Sequence, residues 1–229
     1  MPLDAFASLT TPHVADACMR LGLPVRIAPA GIRPVAPHQR LAGPAVPVRH
    51  YGSVDAFIEA IHGAPAGGVL VVDNEGRTDE GCVGDLTALE AQAAGLSGIV
   101  ILGLHRDTAE LRVMDFPLFS YGTLAVGPRR LDSGPQPPEI DFGGVPVSRD
   151  DVVFADEDGV LFVAAADVEP VLHTAATIAA REREQAAAVA RGTSLYDQLH
   201  FAEYVARRAD DPSFTFRRHL REIGGAVEE

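Results

Sequence analysis

Residues 67–107 read GGVLVVDNEGRTDEGCVGDLTALEAQAAGLSGIVILGLHRD. Residues 67–73 and 98–102 are short apolar runs without alternation, which is typical of strands covered on both faces. Between them, the alanine-rich run 86–94 is closed by a glycine and predicts a helix. Strand, loop 74–84, helix and strand form a βαβ unit. The stretch therefore predicts an α/β fold with its chemistry in the loops at the carboxyl ends of the strands.

The rest of the chain predicts further elements around this unit. Upstream, we expect helices over 12–21 and 54–62, the second capped by Ser53. The proline-rich segment 23–47 predicts extended loop with edge strands. Downstream, the pattern predicts a strand at 116–120, a hairpin within 145–163, a helix over 167–191, and another helix from Thr193 or Ser194 to about 209. The acidic run Asp156-Glu157-Asp158 fits the hairpin turn better than a cation-binding loop.

Composition restricts the class of protein. The chain has 229 residues, of which 47% are hydrophobic, enough for one large domain with a real core. It contains no apolar stretch near the roughly 20 residues needed to cross a bilayer, and its start lacks the features of a signal peptide. Cys18 and Cys82 are its two cysteines, too few for a disulfide framework. We therefore expect a cytoplasmic protein without membrane association.

The charge is strongly acidic. The net charge is −13, with 32 acidic residues against 19 basic ones, so direct binding to nucleic acid is not expected. A site for an anionic substrate would need local cations or a metal, and Arg77, His105 and Arg106 are the candidates near the βαβ loops. All 19 basic residues are arginine. The absence of lysine excludes an aldolase mechanism through a lysine Schiff base.

Two units are expected along the chain. Residues 1–192 predict one α/β domain, and residues 193–229 predict a helical C-terminal arm. The arm is rich in aromatic side chains that need burial, on the domain or on a neighbouring subunit. These side chains are Phe201, Tyr204, Phe214 and Phe216.

Asp85 and the pair Arg106-Asp107 are the candidate chemical residues. Asp85 starts the predicted helix, where a carboxylate can cap backbone amides or lie beside an anion bound by the amides of Leu86 and Thr87. Arg106-Asp107 can be a surface ion pair of small energy. Alternatively, the guanidinium can bind a substrate carboxylate or enolate while Asp107 binds Mg²⁺ or Mn²⁺.

Several neighbouring residues have competing interpretations. His105 is expected in a solvent-facing loop, with a substrate contact as the alternative. Arg77 can supply charge to the pocket or balance Asp79 and Glu80. Glu110 can support Asp107 but is more often solvated. Cys82 is expected to be a buried, inert thiol.

Asp85, twenty intervening residues and Arg106-Asp107 resemble the signature of the RraA-like family. Its enzymes include class II pyruvate aldolases acting on 4-hydroxy-4-methyl-2-oxoglutarate and 4-carboxy-4-hydroxy-2-oxoadipate. The resemblance extends to about residue 192. It is supported by residues 11–17, 41–45, 98–107, 116–119 and 154–160.

The resemblance implies an α/β/β/α sandwich of the swivelling-domain type, here with a helical C-terminal extension. It implies homotrimers or hexamers with sites at subunit boundaries. Asp107 would hold the divalent cation, Mg²⁺ or Mn²⁺, Arg106 would contact the pyruvyl group, and Asp85 would orient a metal-bound water. Gly84, Leu86 and Thr87 would receive the substrate carboxylate. The implied reaction is retro-aldol cleavage through a metal-stabilised pyruvate enolate, with oxaloacetate decarboxylase activity as a companion.

Departures from the family pattern leave alternatives open. Leu102-Gly103 occurs where members commonly carry Asp-Gly, which bears on the identity of the substrate. A family glutamate that reaches a neighbouring site has Glu182 or Glu184 as weak matches, and a solvated helix face is preferred for both. The alternative functions are a non-catalytic protein that inhibits a ribonuclease complex, and another enolate or decarboxylation reaction. A methyltransferase is not supported, since no glycine-rich nucleotide-binding signature follows a strand.

Overall fold

The computed structural model describes residues 2–224. A 3-10 helix at Pro2–Ser8 precedes the first α-helix. The elements then follow in chain order: α1 (Thr11–Arg20), β1 (Arg26–Ile27), β2 (Arg33–Pro34), β3 (Leu41–Arg49), α2 (Asp55–His62), β4 (Val69–Val83), α3 (Asp85–Ala93), β5 (Gly98–His105), α4 (Thr108–Val113), β6 (Leu118–Ser120), β7 (Glu139–Asp141), β8 (Pro146–Ser148), β9 (Asp151–Asp156), β10 (Gly159–Ala164), α5 (Val168–Ala190), α6 (Leu195–Gln198), α7 (Phe201–Asp210) and α8 (Phe216–Ile223).

One eight-stranded sheet organises the chain, in the order β1-β10-β9-β3-β4-β5-β6-β2. Strands β3, β4, β5 and β6 run parallel to one another, and the remaining pairings in this sheet are antiparallel. Strands β7 and β8 form a separate two-stranded hairpin. Because the four parallel strands end at the same edge, the loops that follow them meet there.

The buried side chains form three layers of core. One lies between the parallel strands and helices α2, α3 and α4. A second, containing Phe119, Phe142 and Phe162, lies between the parallel strands, the β9–β10 pair and the β7–β8 hairpin. The third lies between β9–β10 and helices α1 and α5. The α/β/β/α sandwich with a helical C-terminal extension is therefore confirmed.

The predicted loop 74–84 is wrong, because β4 continues to Val83. Its ladder with β5 shifts register after Asp73, again after Arg77 and again after Gly81. Glu75 and Gly76 adopt positive φ angles of 56° and 66°, so the strand bulges outward and then rejoins its partner. The polar composition of the bulge gives it the appearance of a loop in the sequence.

The expectation of edge strands in segment 23–47 is confirmed for β1 and β2, which lie at the two edges of the sheet, and is wrong for β3. β3 is a nine-residue central strand that carries Pro44 and Pro47. It pairs with β9 only over residues 41–44 and with β4 over residues 45–49. From Ala45 onward one side of β3 has no paired strand, so a proline there can face that side without removing a ladder bond.

Two local predictions meet different outcomes. Helix α2 begins after Val54, whose side chain makes no cap bond, so the Ser53 cap is wrong; only a long 3.5 Å contact joins Ser53 Oγ to the Asp55 amide.

The hairpin turn at Asp156 is confirmed by the pairing of Asp156 with Gly159. There the Asp156 carboxylate accepts hydrogen bonds from the Thr11 amide and hydroxyl. Within residues 2–224, no helix is long and apolar enough to span a membrane.

The C-terminal arm is helical but its predicted helix to residue 209 is interrupted. Ser194 caps α6 by accepting from the Asp197 amide, and His200, at φ 49°, separates α6 from α7. The arm's aromatic side chains pack on one another, with the Tyr204 ring centroid 4.9 Å from that of Phe216. The part of the arm at 225–229 lies outside the described residues.

Candidate functional site

A cleft of about 140 Å³ lies where β3, β4 and β5 end. It collects residues that are distant in sequence from the loops after these strands and from the start of α3. Its lining consists of His50, Gly52, Val54, Phe57, Gly81, Cys82, Gly84, Asp85, Leu86, Thr87, Arg106 and Pro128. The predicted residues Gly84, Asp85, Leu86, Thr87 and Arg106 are therefore brought together.

Asp107 lies beside this cleft in a constrained conformation. It follows β5 and immediately precedes α4, with φ 60° and ψ 40°, a left-handed region that costs most side chains energy but that aspartate tolerates. Its Oδ2 is 3.2 Å from Arg106 Nε. Both side chains are partly exposed, at 46% for Arg106 and 34% for Asp107, so as an ion pair alone they contribute under about 1 kcal/mol.

Gly84 permits the Arg106–Asp107 pair to reach the start of α3. A Cβ at this position would lie 2.2 Å from Asp107 Oδ2 and 3.1 Å from Arg106 Nε. Its backbone, at φ −123° and ψ −170°, is one that any residue adopts. The close approach of the Asp107 carboxylate, and not backbone freedom, is what glycine accommodates here. The contact joins the two halves of the predicted motif across the ends of β4 and β5.

The start of α3 carries Asp85, Leu86 and Thr87. Asp85 Oδ1 accepts a hydrogen bond of 2.7 Å from the Leu86 amide, which places its carboxylate at the positive end of the helix dipole. The Leu86 side chain is 74% exposed, whereas Asp85 and Thr87 are half-buried. An anion that binds the Leu86 amide must displace the Asp85 carboxylate from it.

His105 is not solvent-facing, and that prediction is wrong. It is 4% exposed at the end of β5. Its Nδ1 lies 2.7 Å from Ser120 Oγ and its Nε2 lies 3.0 Å from Thr108 Oγ1. Burial, followed by the charge of Arg112, lowers the pKa of His105. The ring therefore fixes the start of α4 directly after Asp107 and does not line the cleft. Leu102, where family members commonly carry aspartate, is buried in the middle core.

Three more predictions concern residues near the cleft. Arg77 balances its neighbours, with Nη2 2.7 Å from Asp79 and Nε 3.5 Å from Glu80. Glu110 is exposed on α4. Cys82 is buried at the cleft wall, and burial raises the pKa of its thiol, as expected for an inert cysteine.

The two weak glutamate matches lie on the exposed part of α5. Glu182 Oε2 is 3.0 Å from His13 Nε2 of α1, and Glu184 is exposed. Neither lines the cleft of its own chain.

The cleft also contains His50, Phe57 and Pro128, which were not predicted from the sequence. His50 follows β3, so the rule that parallel strands end at one edge was a signal for it. Its ring stacks on Phe57 at 4.8 Å between centroids, and its pKa is lowered mainly by burial. Pro128 lies in a segment without periodic pattern and gave no signal.

The acidic side chains near the cleft can bind a divalent cation that takes few ligands from the protein. Among residues 2–224 no cluster of three or more His, Cys, Asp and Glu side chains is arranged to hold a metal. Mg²⁺ nevertheless needs only one or two carboxylates, with water and substrate oxygens completing its octahedron. Asp107 offers a partly exposed carboxylate in a space that any side chain at Gly84 would fill.

Comparison with known proteins gives the family. The RraA-like family model, described as Aldolase/RraA, matches residues 11–162, well over half of the chain. The chain belongs to the RraA-like family. The matched range of this RraA-like chain contains Asp85, Arg106 and Asp107, and it stops short of α5 and the C-terminal arm.

Solved structures of similar proteins agree with this fold. An uncharacterized protein from Pseudomonas syringae pv. tomato str. DC3000 is 26% identical with a TM-score of 0.73, covering 84% of this chain and 94% of that one. A protein from Geobacillus kaustophilus HTA426, described as S-adenosylmethionine:2-dimethylmenaquinone methyltransferase, is 29% identical with a TM-score of 0.59, covering 66% and 93%. The RNA-processing inhibitor RraA from Thermus thermophilis is 25% identical with a TM-score of 0.58, covering 65% and 91%.

Proposed function

We propose that this RraA-like protein is a divalent-metal-dependent lyase. It cleaves a 4-hydroxy-2-oxo acid by a retro-aldol reaction into pyruvate and a second carbonyl compound. The observation that carries the proposal is the packing of Asp107 and Arg106 against Gly84, next to Asp85 in the chain. Loss of CO₂ from oxaloacetate develops the same enolate charge, so decarboxylation is expected as a second activity.

Arg106 is assigned to the pyruvyl part of the substrate. Its Nε faces Asp107, which leaves the two terminal nitrogens of the guanidinium for other partners. A guanidinium donates two parallel hydrogen bonds to a carboxylate or an enolate. Because negative charge increases on the pyruvyl oxygens as the carbon–carbon bond breaks, Arg106 stabilises the transition state more than the substrate.

Asp85 is assigned to the proton that leaves the 4-hydroxyl group. One of its oxygens is held by the Leu86 amide, so the carboxylate has a fixed direction at the start of α3. In this position it orients the water that takes up the proton. The amide of Thr87, at the same helix start, is assigned to the substrate carboxylate.

Asp107 would hold Mg²⁺ or Mn²⁺, which when bound supplies Lewis-acid polarisation of a carbonyl oxygen. The chain contains no lysine to provide a Schiff base in its place. The apolar cleft wall formed by Val54, Phe57 and Pro128 limits the water around the reacting groups.

The test is a coupled assay for pyruvate release over a panel of 4-hydroxy-2-oxo acids and oxaloacetate, with and without chelator. Asp107→Asn should weaken Mn²⁺ binding and abolish most turnover. Asp150→Asn, the same change at an exposed turn between β8 and β9, should leave both unchanged. Pyruvate release that survives complete removal of metal would reject the proposal, as would no turnover of any acid in the panel.

The second candidate is a non-catalytic inhibitor of a ribonuclease complex, and the similarity to the Thermus inhibitor favours it. A binding protein of this kind has no need of Arg106 in the cleft or of Asp107 beside it. Inhibition of a ribonuclease by the wild-type protein that persists in Asp107→Asn, together with absence of pyruvate release, would support this candidate over the lyase.

A further inference from the structure

A segment after β6 crosses the edge of the sheet where the cleft lies. We refer to residues 122–136 as the strap. The strap follows the strand ends in turn: the Leu124 amide donates to His105 O of β5 at 2.9 Å, and Val126 O accepts from the Gly81 amide of β4 at 2.7 Å. Beyond β3, Asp132 forms a bridge with Gly52 and accepts from the Ser53 amide at 3.3 Å.

The middle of the strap touches the proposed catalytic arginine. A Cβ on Gly127 would lie 2.7 Å from Arg106 Nη1, so the strap backbone passes directly against the guanidinium. The next residue, Pro128, lines the cleft. The position of the strap therefore determines the space that the Arg106 guanidinium can occupy.

Arg130 anchors the strap in a buried polar cluster. Its Nη2 lies 3.3 Å from Glu80 Oε1 and 3.4 Å from Asn74 Oδ1. Glu80 is 2% exposed and Asn74 is fully buried. His50 Nδ1 lies 2.8 Å from the same Asn74 Oδ1. Because an amide oxygen can only accept, Nδ1 carries the proton and the cluster connects the strap to the cleft-lining ring of His50.

A buried carboxylate such as Glu80 requires cationic partners, and two arginines approach it. Arg77 comes from the bulge of β4 itself, at 3.5 Å, and Arg130 comes from the strap. Arg129, the preceding strap residue, is different: its side chain is 73% exposed and reaches only the exposed Asp79 at 3.6 Å. Of these two neighbouring arginines, Arg130 alone is inserted into the cluster.

We propose that Arg130 is a positioning residue: by binding Glu80 and Asn74 it holds Gly127 and Pro128 of the strap against the Arg106 guanidinium and so directs that guanidinium into the cleft. The kinetic part of this proposal rests on the proposed lyase function. The structural part does not. Glu80 and Asn74 act through Arg130 and do not contact the substrate.

Hydrogen exchange tests the anchor without any activity. The amides of Gly81 and Ser53 donate hydrogen bonds to carbonyl oxygens of the strap. In Arg130→Gln these two amides should exchange about tenfold faster, because the strap loses hydrogen bonds made by a charged side chain. In Arg129→Gln these amides should exchange at the wild-type rate. In Arg130→Lys the rate should lie between those of wild type and Arg130→Gln, because lysine keeps the positive charge but lacks the two terminal nitrogens of a guanidinium. Unchanged exchange in Arg130→Gln would overturn the proposal.

The Arg106 side chain provides a second readout that is independent of turnover. Its ¹⁵N–Hε resonance, assigned by its loss in Arg106→Gln, should move in both Arg130→Gln and Gly127→Ala and stay in place in Arg129→Gln. Gly127→Ala leaves Arg130 in place, so the Gly81 and Ser53 amides should exchange at the wild-type rate in this variant. The added Cβ should displace the Arg106 guanidinium. An unmoved resonance in both variants would show that the strap does not position Arg106.

Kinetics then connect the strap to the reaction. Arg130→Gln and Gly127→Ala should each lower kcat for pyruvate release about tenfold with KM changed less than twofold, and Arg130→Lys should recover part of the loss. Altered exchange with wild-type kcat would reject the positioning role. A wild-type protein that releases no pyruvate would reject the lyase function, and the exchange and resonance data would still decide whether Arg130 positions Arg106.

Discussion

Gly84→Ala perturbs the proposed metal ligand with one methyl group. The added Cβ would lie 2.2 Å from Asp107 Oδ2, whereas an ordinary carbon–oxygen contact is about 3.4 Å. Asp107 must therefore move its carboxylate by roughly 1 Å, and a displacement of this size at a reacting centre costs on the order of 10²-fold in rate. The backbone at Gly84, with φ −123°, accepts alanine without strain.

The assay combines three measurements on this variant. Pyruvate release should fall about 10²-fold and Mn²⁺ affinity should fall with it, whereas the free energy of unfolding should change by less than about 1 kcal/mol because Asp107 is partly exposed and can rotate. Gly63→Ala is the matched control, since its Cβ would meet Glu59 O at an ordinary 3.4 Å. Gly84→Ala with pyruvate release within twofold of wild type would refute the reasoning that close approach at Gly84 sets the position of Asp107.

Three further outcomes follow from the same geometry. Arg106→Gln should lower kcat/KM by about 10²–10³-fold without loss of Mn²⁺ binding, measured by steady-state kinetics and calorimetry; a loss of metal affinity would contradict the separate roles of Arg106 and Asp107. Because burial raises the pKa of Cys82, iodoacetamide should label this thiol in the native protein far more slowly than in the unfolded chain, and equal rates would be inconsistent with its burial. Burial lowers the pKa of His50, so the unfolded chain takes up a proton near pH 6.5 that the folded protein does not. The free energy of unfolding should therefore drop as the pH falls from about 7.5 to about 5.5, and urea denaturation should show a smaller drop in His50→Gln; equal drops would exclude His50 as the cause.

The central βαβ unit of the fold could be predicted from residues 67–107. Continuous apolar strands around an alanine-rich helix indicate a parallel βαβ unit, and α3 and β5 begin within a residue of their predicted positions. The bulge in β4 could not be predicted, because its polar residues 74–80 have a loop's composition and are held by tertiary pairing with β5. The central position of β3 could not be predicted either, because its prolines indicate an edge strand. They are tolerated because β3 pairs with β9 over residues 41–44 and with β4 over residues 45–49.

The part of the candidate site that follows β4 and β5 could be predicted, because both strands have a recognisable apolar pattern. Asp85 and Arg106 line the same cleft because β4 and β5 are adjacent parallel strands. The burial of His105 could not be predicted, because a histidine after a strand is usually exposed unless it has a polar partner in the interior. Ser120, at the end of β6, is that partner and forms a hydrogen bond with the His105 ring. The strap was not predictable, since its contacts with Arg106 and Glu80 are long-range and its sequence carries no periodicity.

We propose that Asp107 holds a divalent metal required for release of pyruvate. It is tested most directly by the rate of pyruvate release from a 4-hydroxy-2-oxo acid by wild type and Asp107→Asn, after EDTA treatment and after return of Mg²⁺ or Mn²⁺. We predict that EDTA stops the wild-type reaction, that metal restores it, and that metal restores nothing in Asp107→Asn. Restoration of the Asp107→Asn reaction to the wild-type rate, or a wild-type reaction indifferent to EDTA, would show that Asp107 does not hold a required metal.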